Sequence, residues 1–213
     1  MQETRQLNAN KPYQRAGSVI VAASTCWGIG ISCVGNVHAK RDPAARLAML
    51  RRNQGLWVAG QFLAAAGTMA VPIGFVRFAQ AIRSRPAKSL AAGAAAALLV
   101  GAPLFVLALA DRASDLEKFA YRRGPSWPFL TYSGLHIGGL AALGASLLFL
   151  PLKPWTGVTA AASAPLFGAI LAGTKDIPPF VFYLVETAVG VQLMRYEEPG
   201  LAAGSQRGGE GHG

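Results

Sequence analysis

Charge is scarce in this sequence. Of 213 residues only 14% are Asp, Glu, Lys or Arg, and 52% are hydrophobic, whereas an ordinary soluble domain is roughly 25% charged. That shortage excludes a disordered tail protein, a collagen and most soluble enzymes. Cysteine is scarcer still, which excludes a disulfide scaffold. The two residues, Cys26 and Cys33, lie in one apolar run. On a helix their spacing is a rise of roughly 10.5 Å, beyond the reach of a disulfide, so both are read as reduced packing residues. No Cys-x-x-Cys pair, haem-attachment motif or zinc pattern occurs, so neither a metal nor a cofactor is expected. Phosphate loops, dinucleotide-binding glycine motifs and the G-x-S-x-G elbow of serine hydrolases are missing too.

Acidic residues are few: ten, against twenty Lys and Arg, for a net charge of +10. In a soluble protein that balance would suggest nucleic acid. Here the cations gather in short connections: Lys40, Arg41, Arg46, Arg51 and Arg52, then Arg83, Arg85 and Lys88, then Arg112, Lys118, Arg122 and Arg123. No aromatic-interleaved patch accompanies them, so the expected partner is a bilayer with anionic headgroups and not nucleic acid.

What is present is apolar length. Six stretches, at about 17–39, 55–79, 89–110, 127–150, 155–174 and 177–194, are each of the order of the 20 helical residues that cross a hydrocarbon core. The expected fold is all-α, an integral membrane bundle of six transmembrane helices with short loops. A polar N-terminal tail (1–16) and a disordered C-terminal tail (196–213), which takes His212 with it, flank the bundle. The first stretch is too long for a signal-peptide core, and five more follow it. Asp42 and Pro43 predict a cap and first turn for a short helix, with Ala44, Leu47 and Leu50 on one side and Arg46, Arg51 and Arg52 kept polar, either in the headgroup plane or as a solvated loop. Ser89 and Ser126 read as helix caps. Only Lys175 and Asp176 separate the last two stretches, which predicts a tight hairpin, and Pro178 and Pro179 suit the first turn of its second helix. Small residues four apart (Gly28 and Ser32, Gly134 and Gly138, Ala164, Gly168 and Ala172) predict close helix packing.

Six crossings put both termini on one side. Ten Lys and Arg then fall on each side, so charge does not choose the orientation. We assign the termini to the cytoplasm because unstructured tails more often stay there.

A polar side chain inside a span costs about 2.5–3.5 kcal/mol and calls for a partner. Gln61, His136 and Glu186 lie in alternate stretches entering from the same face, at depths of roughly 9, 13 and 15 Å, so they are expected to meet. Tyr132 precedes His136 by one turn and Tyr183 precedes Glu186 by three residues. These five are the candidate ligand-binding residues. Asn36, His38 and Asp111 extend them into a polar funnel towards the first and third connections. The alternative is that the polar groups only bond helices together. Bis-imidazole haem ligation fails because His38 lies at the surface end of its stretch and His136 about 13 Å deep.

A short basic tail, Arg15-Ala16-Gly17 before an apolar run, and Ala45-Arg46-Leu47 leading into Gly55-Leu56-Trp57 give a layout that resembles a family of small six-span bacterial integral membrane proteins of unknown function. The resemblance implies a multi-pass protein of the bacterial cytoplasmic membrane and carries no functional residues. The function read first is a non-enzymatic subunit or small sensor whose intramembrane pocket takes a small or lipidic ligand, with a protein partner or a second copy beside it. Two alternatives stay open. One is a membrane-embedded enzyme acting on a lipid or isoprenoid, with Glu186 as acid or base and His136 as its partner. The other is a small proton-coupled transporter using the same pair.

Overall fold

The computed structural model describes residues 11–197. They form an all-α chain: α1 (Gln14–Ser32), α2 (Asn36–Ala39), α3 (Pro43–Arg52), α4 (Gln54–Ala81), α5 (Arg85–Ser114), α6 (Leu116–Ala120), α7 (Trp127–Leu148), α8 (Pro154–Thr174) and α9 (Phe180–Arg195). Most of both expected tails, His212 included, lies outside the described residues. The polar N-terminal stretch is shorter than expected, since α1 starts at Gln14 and Tyr13 is already buried against Phe78, ring centroids 5.3 Å apart.

Three helices are long and apolar enough to cross a membrane: α4, α5 and α8. The other three long helices fall outside that group for reasons visible in their sequences. At 16 residues α9 is short, α1 spends two of its 19 residues on Gln14 and Arg15, and α7 carries Thr131, Tyr132, Ser133 and His136. The first apolar run does not continue to Ala39. It leaves the helix at Cys33–Gly35 and re-enters as the one-turn α2. Ser89 is not a cap: α5 begins four residues earlier behind Ser84, and the Ser89 hydroxyl donates to the Arg85 carbonyl. Nor does α9 begin at residue 177, for Pro178 and Pro179 precede its first residue, Phe180.

The six long helices pack in the cyclic order α1, α4, α5, α7, α8, α9, with α9 returning to α1. Of these neighbours α8 and α9 touch least, contrary to the expected tight hairpin. They are joined by a non-helical segment from Lys175 to Pro179, which buries Ile177. Around the ring every long helix presents a large apolar side chain outward, for example Ile29, Phe62, Val100, Leu148, Leu166 and Leu184.

Close packing is carried by glycines other than those the spacing suggested. A methyl group on Gly30 would lie 2.5 Å from the backbone of Gly60 and Ala64, and one on Gly67 would lie 2.6 Å from the backbone of Ala23 and Trp27, so α1 and α4 meet almost backbone to backbone. Gly144 and Gly157 do the same for α7 and α8, and Gly17 and Gly190 for α1 and α9. Gly28, Gly134, Gly138 and Gly168 face open space. Spacing finds pairs on one face of a helix but does not say which face meets a neighbour.

The short helices build a cap at one end of the ring. Asp42 caps α3 as expected, its carboxylate accepting from Ala45 N (2.9 Å) and Ala44 N (3.3 Å). The polar face of α3 is not where the sequence put it. Arg46 is buried beside Leu50, donating to the carbonyls of Ala120 (2.7 Å) and Lys40 (2.5 Å), while Ala44 is exposed. Val34, Val37, Leu50, Trp57 and Ala120 form a small core of their own there, with the Phe119 ring tilted against Trp57 at 5.0 Å.

Candidate functional site

Four of the five candidate residues meet inside the ring. His136 Nε2 on α7 lies 2.9 Å from Glu186 Oε1 on α9, both side chains almost wholly buried. Neither has another hydrogen-bond partner among the described residues. One turn nearer the cap, the Tyr183 hydroxyl lies 2.8 Å from Thr68 Oγ1 on α4 and accepts from the Tyr132 hydroxyl at 3.2 Å. Because α4, α7 and α9 are not neighbours in the ring, these contacts tie helices across its centre. Rings fill the remaining space: Phe105 stacks on Tyr132 (4.3 Å) and Phe182 on His136 (4.5 Å). A void of about 10 Å³ at this level is bordered by Thr68, Tyr132, His136 and Tyr183, room for one water at most.

Gln61 is buried as well, but it bonds to none of the other four. Both amide atoms lack a partner among the described residues. No cluster of three or more His, Cys, Asp or Glu with metal-binding geometry occurs among the described residues.

A larger site lies above this layer, at the capped end. A cavity of about 930 Å³ opens between the cap, the start of α7 and the α8–α9 connection. It includes His38 and Asp111, as the expected funnel did, but not Asn36. Its floor is Trp27, whose indole stacks flat on Tyr183 at 4.0 Å and whose buried N–H has no acceptor among the described residues. The polar layer and the cavity are therefore separated by one aromatic contact, and neither His136 nor Glu186 reaches the cavity.

Five cations line the cavity: Arg46, Arg112, Lys118, Arg122 and Lys175. They come from four separate elements, which is why the sequence alone did not assemble them. The Arg112 guanidinium sits among the rings of Phe105, Phe119 and Phe129, 5.7–5.9 Å from each centroid. It forms no hydrogen bond and no ion pair within 4 Å among the described residues. Its backbone carbonyl takes the indole N–H of Trp57 at 3.0 Å, which fixes the end of α5 against the cap. Lys118 is engaged by Asp111 at 2.6 Å. His38 adds no charge at neutral pH: burial first, then Arg112 and Arg46, lower its pKa to about 4.

Comparison with known proteins yields no match among family models, curated proteins or solved structures. The fold and the two polar regions therefore carry the functional reading by themselves.

Proposed function

We propose that this chain is a six-span protein of a bacterial cytoplasmic membrane that binds a small or lipidic ligand in the cavity at its capped end, acting as a subunit or sensor and not as an enzyme. The outward apolar side chains on all six long helices support six crossings, since Tyr132, Ser133 and His136 of α7 and Glu186 of α9 are buried inside the ring. The observation that carries the binding reading is the cavity itself. Its volume falls within the roughly 300–1,000 Å³ of ligand sites, and its walls mix aromatic rings with a few convergent polar groups. A ligand resting on Trp27 would press on Tyr183 and so on the cross-ring ties, a route from the mouth to the packing of α4, α7 and α9. Enzyme and proton-coupled carrier draw less support, because the pair they need lies beneath that floor beside a void too small for a substrate.

Two measurements test this reading. With Cys26 and Cys33 replaced by Ala, single cysteines at Arg85 and Lys153 should react with an impermeant thiol reagent from one side of the membrane, and those at Arg123 and Asp176 from the other. Reaction of all four from one side refutes six crossings. Native mass spectrometry of the full chain after mild extraction should show a bound molecule that Ala108→Trp, which fills the cavity, removes. An empty wild-type protein, or an adduct that survives Ala108→Trp, refutes the cavity as its site.

A further inference from the structure

The cavity's own chemistry narrows what it takes. Its five cations face two carboxylates, Asp111 and Asp176, leaving three positive charges unbalanced inside a partly enclosed site at a bilayer surface. A carboxylate ligand would neutralise one of them. A phosphate ester brings about two negative charges at neutral pH, and a diphosphate brings more. Arg112 offers a guanidinium with every donor unclaimed among the described residues, set among three rings, and a planar fork of that kind suits phosphate oxygens.

Backbone conformation at two other cations points the same way. Among the described residues only Arg122 and Lys175 combine a side chain with positive φ, 54° in each case, and both line the cavity. Each sits just past a helix end where glycine is the usual occupant. After α6, Arg122 N donates to Phe119 O (3.1 Å) and Arg123 N to Lys118 O (2.9 Å), the paired bonds of a Schellman turn with Arg122 at its left-handed position. After α8, Lys175 N donates to Leu171 O at 2.9 Å, and Asp176 N donates to Thr174 Oγ1 at 3.1 Å. A long cationic side chain is strained at such a position, and nothing in the fold's own hydrogen bonding requires one.

Resting on the cavity-binding reading above, we infer that the cavity is a site for a phosphate-bearing amphiphile, its phosphate or diphosphate head held by Arg112, Arg122 and Lys175 and its apolar chain running past Phe129 and Phe180 towards the lipid. Phe180 and Trp127 line the cavity and are both exposed, which gives the chain apolar surface to run along.

The test is calorimetric titration of the full chain in nanodiscs of zwitterionic lipid with three probes: farnesyl diphosphate, inorganic pyrophosphate and farnesol. Farnesyl diphosphate should bind at least tenfold more tightly than farnesol. Arg122→Gly combined with Lys175→Gly should weaken it by tenfold or more while raising the thermal midpoint, since glycine relieves both turns. A folding defect would lower that midpoint, so lost binding with a raised midpoint cannot come from misfolding. Pyrophosphate binding much more weakly than farnesyl diphosphate identifies a lipid headgroup as the source of the phosphate. Equal binding of the two supports a phosphate site but assigns it to a free anion and overturns the amphiphile. If farnesol binds as well as its diphosphate, the cavity keeps its ligand and the phosphate assignment falls. If none of the three binds, the cavity-binding reading falls with it.

Discussion

Two polar regions lie on either side of Trp27, and they are finished in opposite ways. Below it, Thr68, Tyr132 and Tyr183 bond to one another across the ring, His136 lies against Glu186, and the void they border is no larger than a water. Above it, five cations surround an open cavity, and Arg112 has no acceptor among the described residues. A buried polar group needs a partner in either place. The lower region brings its polar groups together and is packed shut around them. The upper one leaves room for something brought from outside, and two of its cations hold strained turns where glycine would do.

The largest expected effect tests whether the lower region is complete in itself. His136 and Glu186 face each other at 2.9 Å inside the ring, both almost wholly buried. Removing one member strands the other where water cannot reach it. Glu186→Leu should therefore cost about 3–5 kcal/mol of unfolding free energy in detergent. Adding His136→Leu should restore most of that loss, because an apolar pair of similar volume suits the site. Additive losses would break the comparison, since they would mean that the two residues do not satisfy each other. Ligand binding in the cavity should survive the double variant; its loss would show that the two regions are one site.

Next in size is a change at the boundary. Gly67 lies directly against the backbone of Trp27, so Gly67→Ala must push α1 and α4 apart, at about 1–3 kcal/mol, as overpacking does. Gly134→Ala, facing open space, should be neutral or slightly stabilising, because alanine is the better helix former. Thermal midpoints of the two variants check this, and Gly67→Ala should also weaken ligand binding by shifting the cavity floor. Equal effects at the two glycines would mean that α1 and α4 are not in close contact there.

That contrast also marks how far the sequence could be read. Residue counting at 1.5 Å per residue brought His136 and Glu186 to nearly the same depth, and they meet at 2.9 Å, because depth along a helix depends only on local geometry. The Asp42-Pro43 cap was legible for the same reason. Which side of a helix meets a neighbour depends on the whole ring, so Gly134 and Gly138 were misread as packing residues and Gly30 and Gly67 passed unnoticed. Arg46 reads as an outward charge in the sequence because the carbonyl it serves, that of Ala120, is 74 residues away. The funnel was legible at His38 and Asp111, but the cations around it were not, because its walls come from connections far apart in the chain. One signal was available: Arg46, Arg112, Lys118, Arg122 and Lys175 all follow stretches that end at the same face.

The smallest expected effect belongs to the upper region and separates it from the lower by pH. His38 titrates at about 4 in the folded chain, against 6.5 for an ordinary histidine, because burial and the nearby Arg112 and Arg46 oppose its charge. Between those two values the unfolded chain takes up a proton that the folded chain refuses. His38's contribution to stability is thus fully present above about pH 6.5 and is lost as pH falls towards 4. Part of the ring remains exposed, and solvent screens its neighbours, so the change should be modest. Thermal midpoints at pH 7.5 and 4.5 should differ less for His38→Gln than for the wild-type chain. A phosphate-bearing ligand should narrow the wild-type difference too, because an anion among Arg112, Arg122 and Lys175 offsets the repulsion that His38 feels when protonated. If His38→Gln leaves the pH difference unchanged, the cations do not act on His38 and the mouth is less strongly positive than its lining residues indicate.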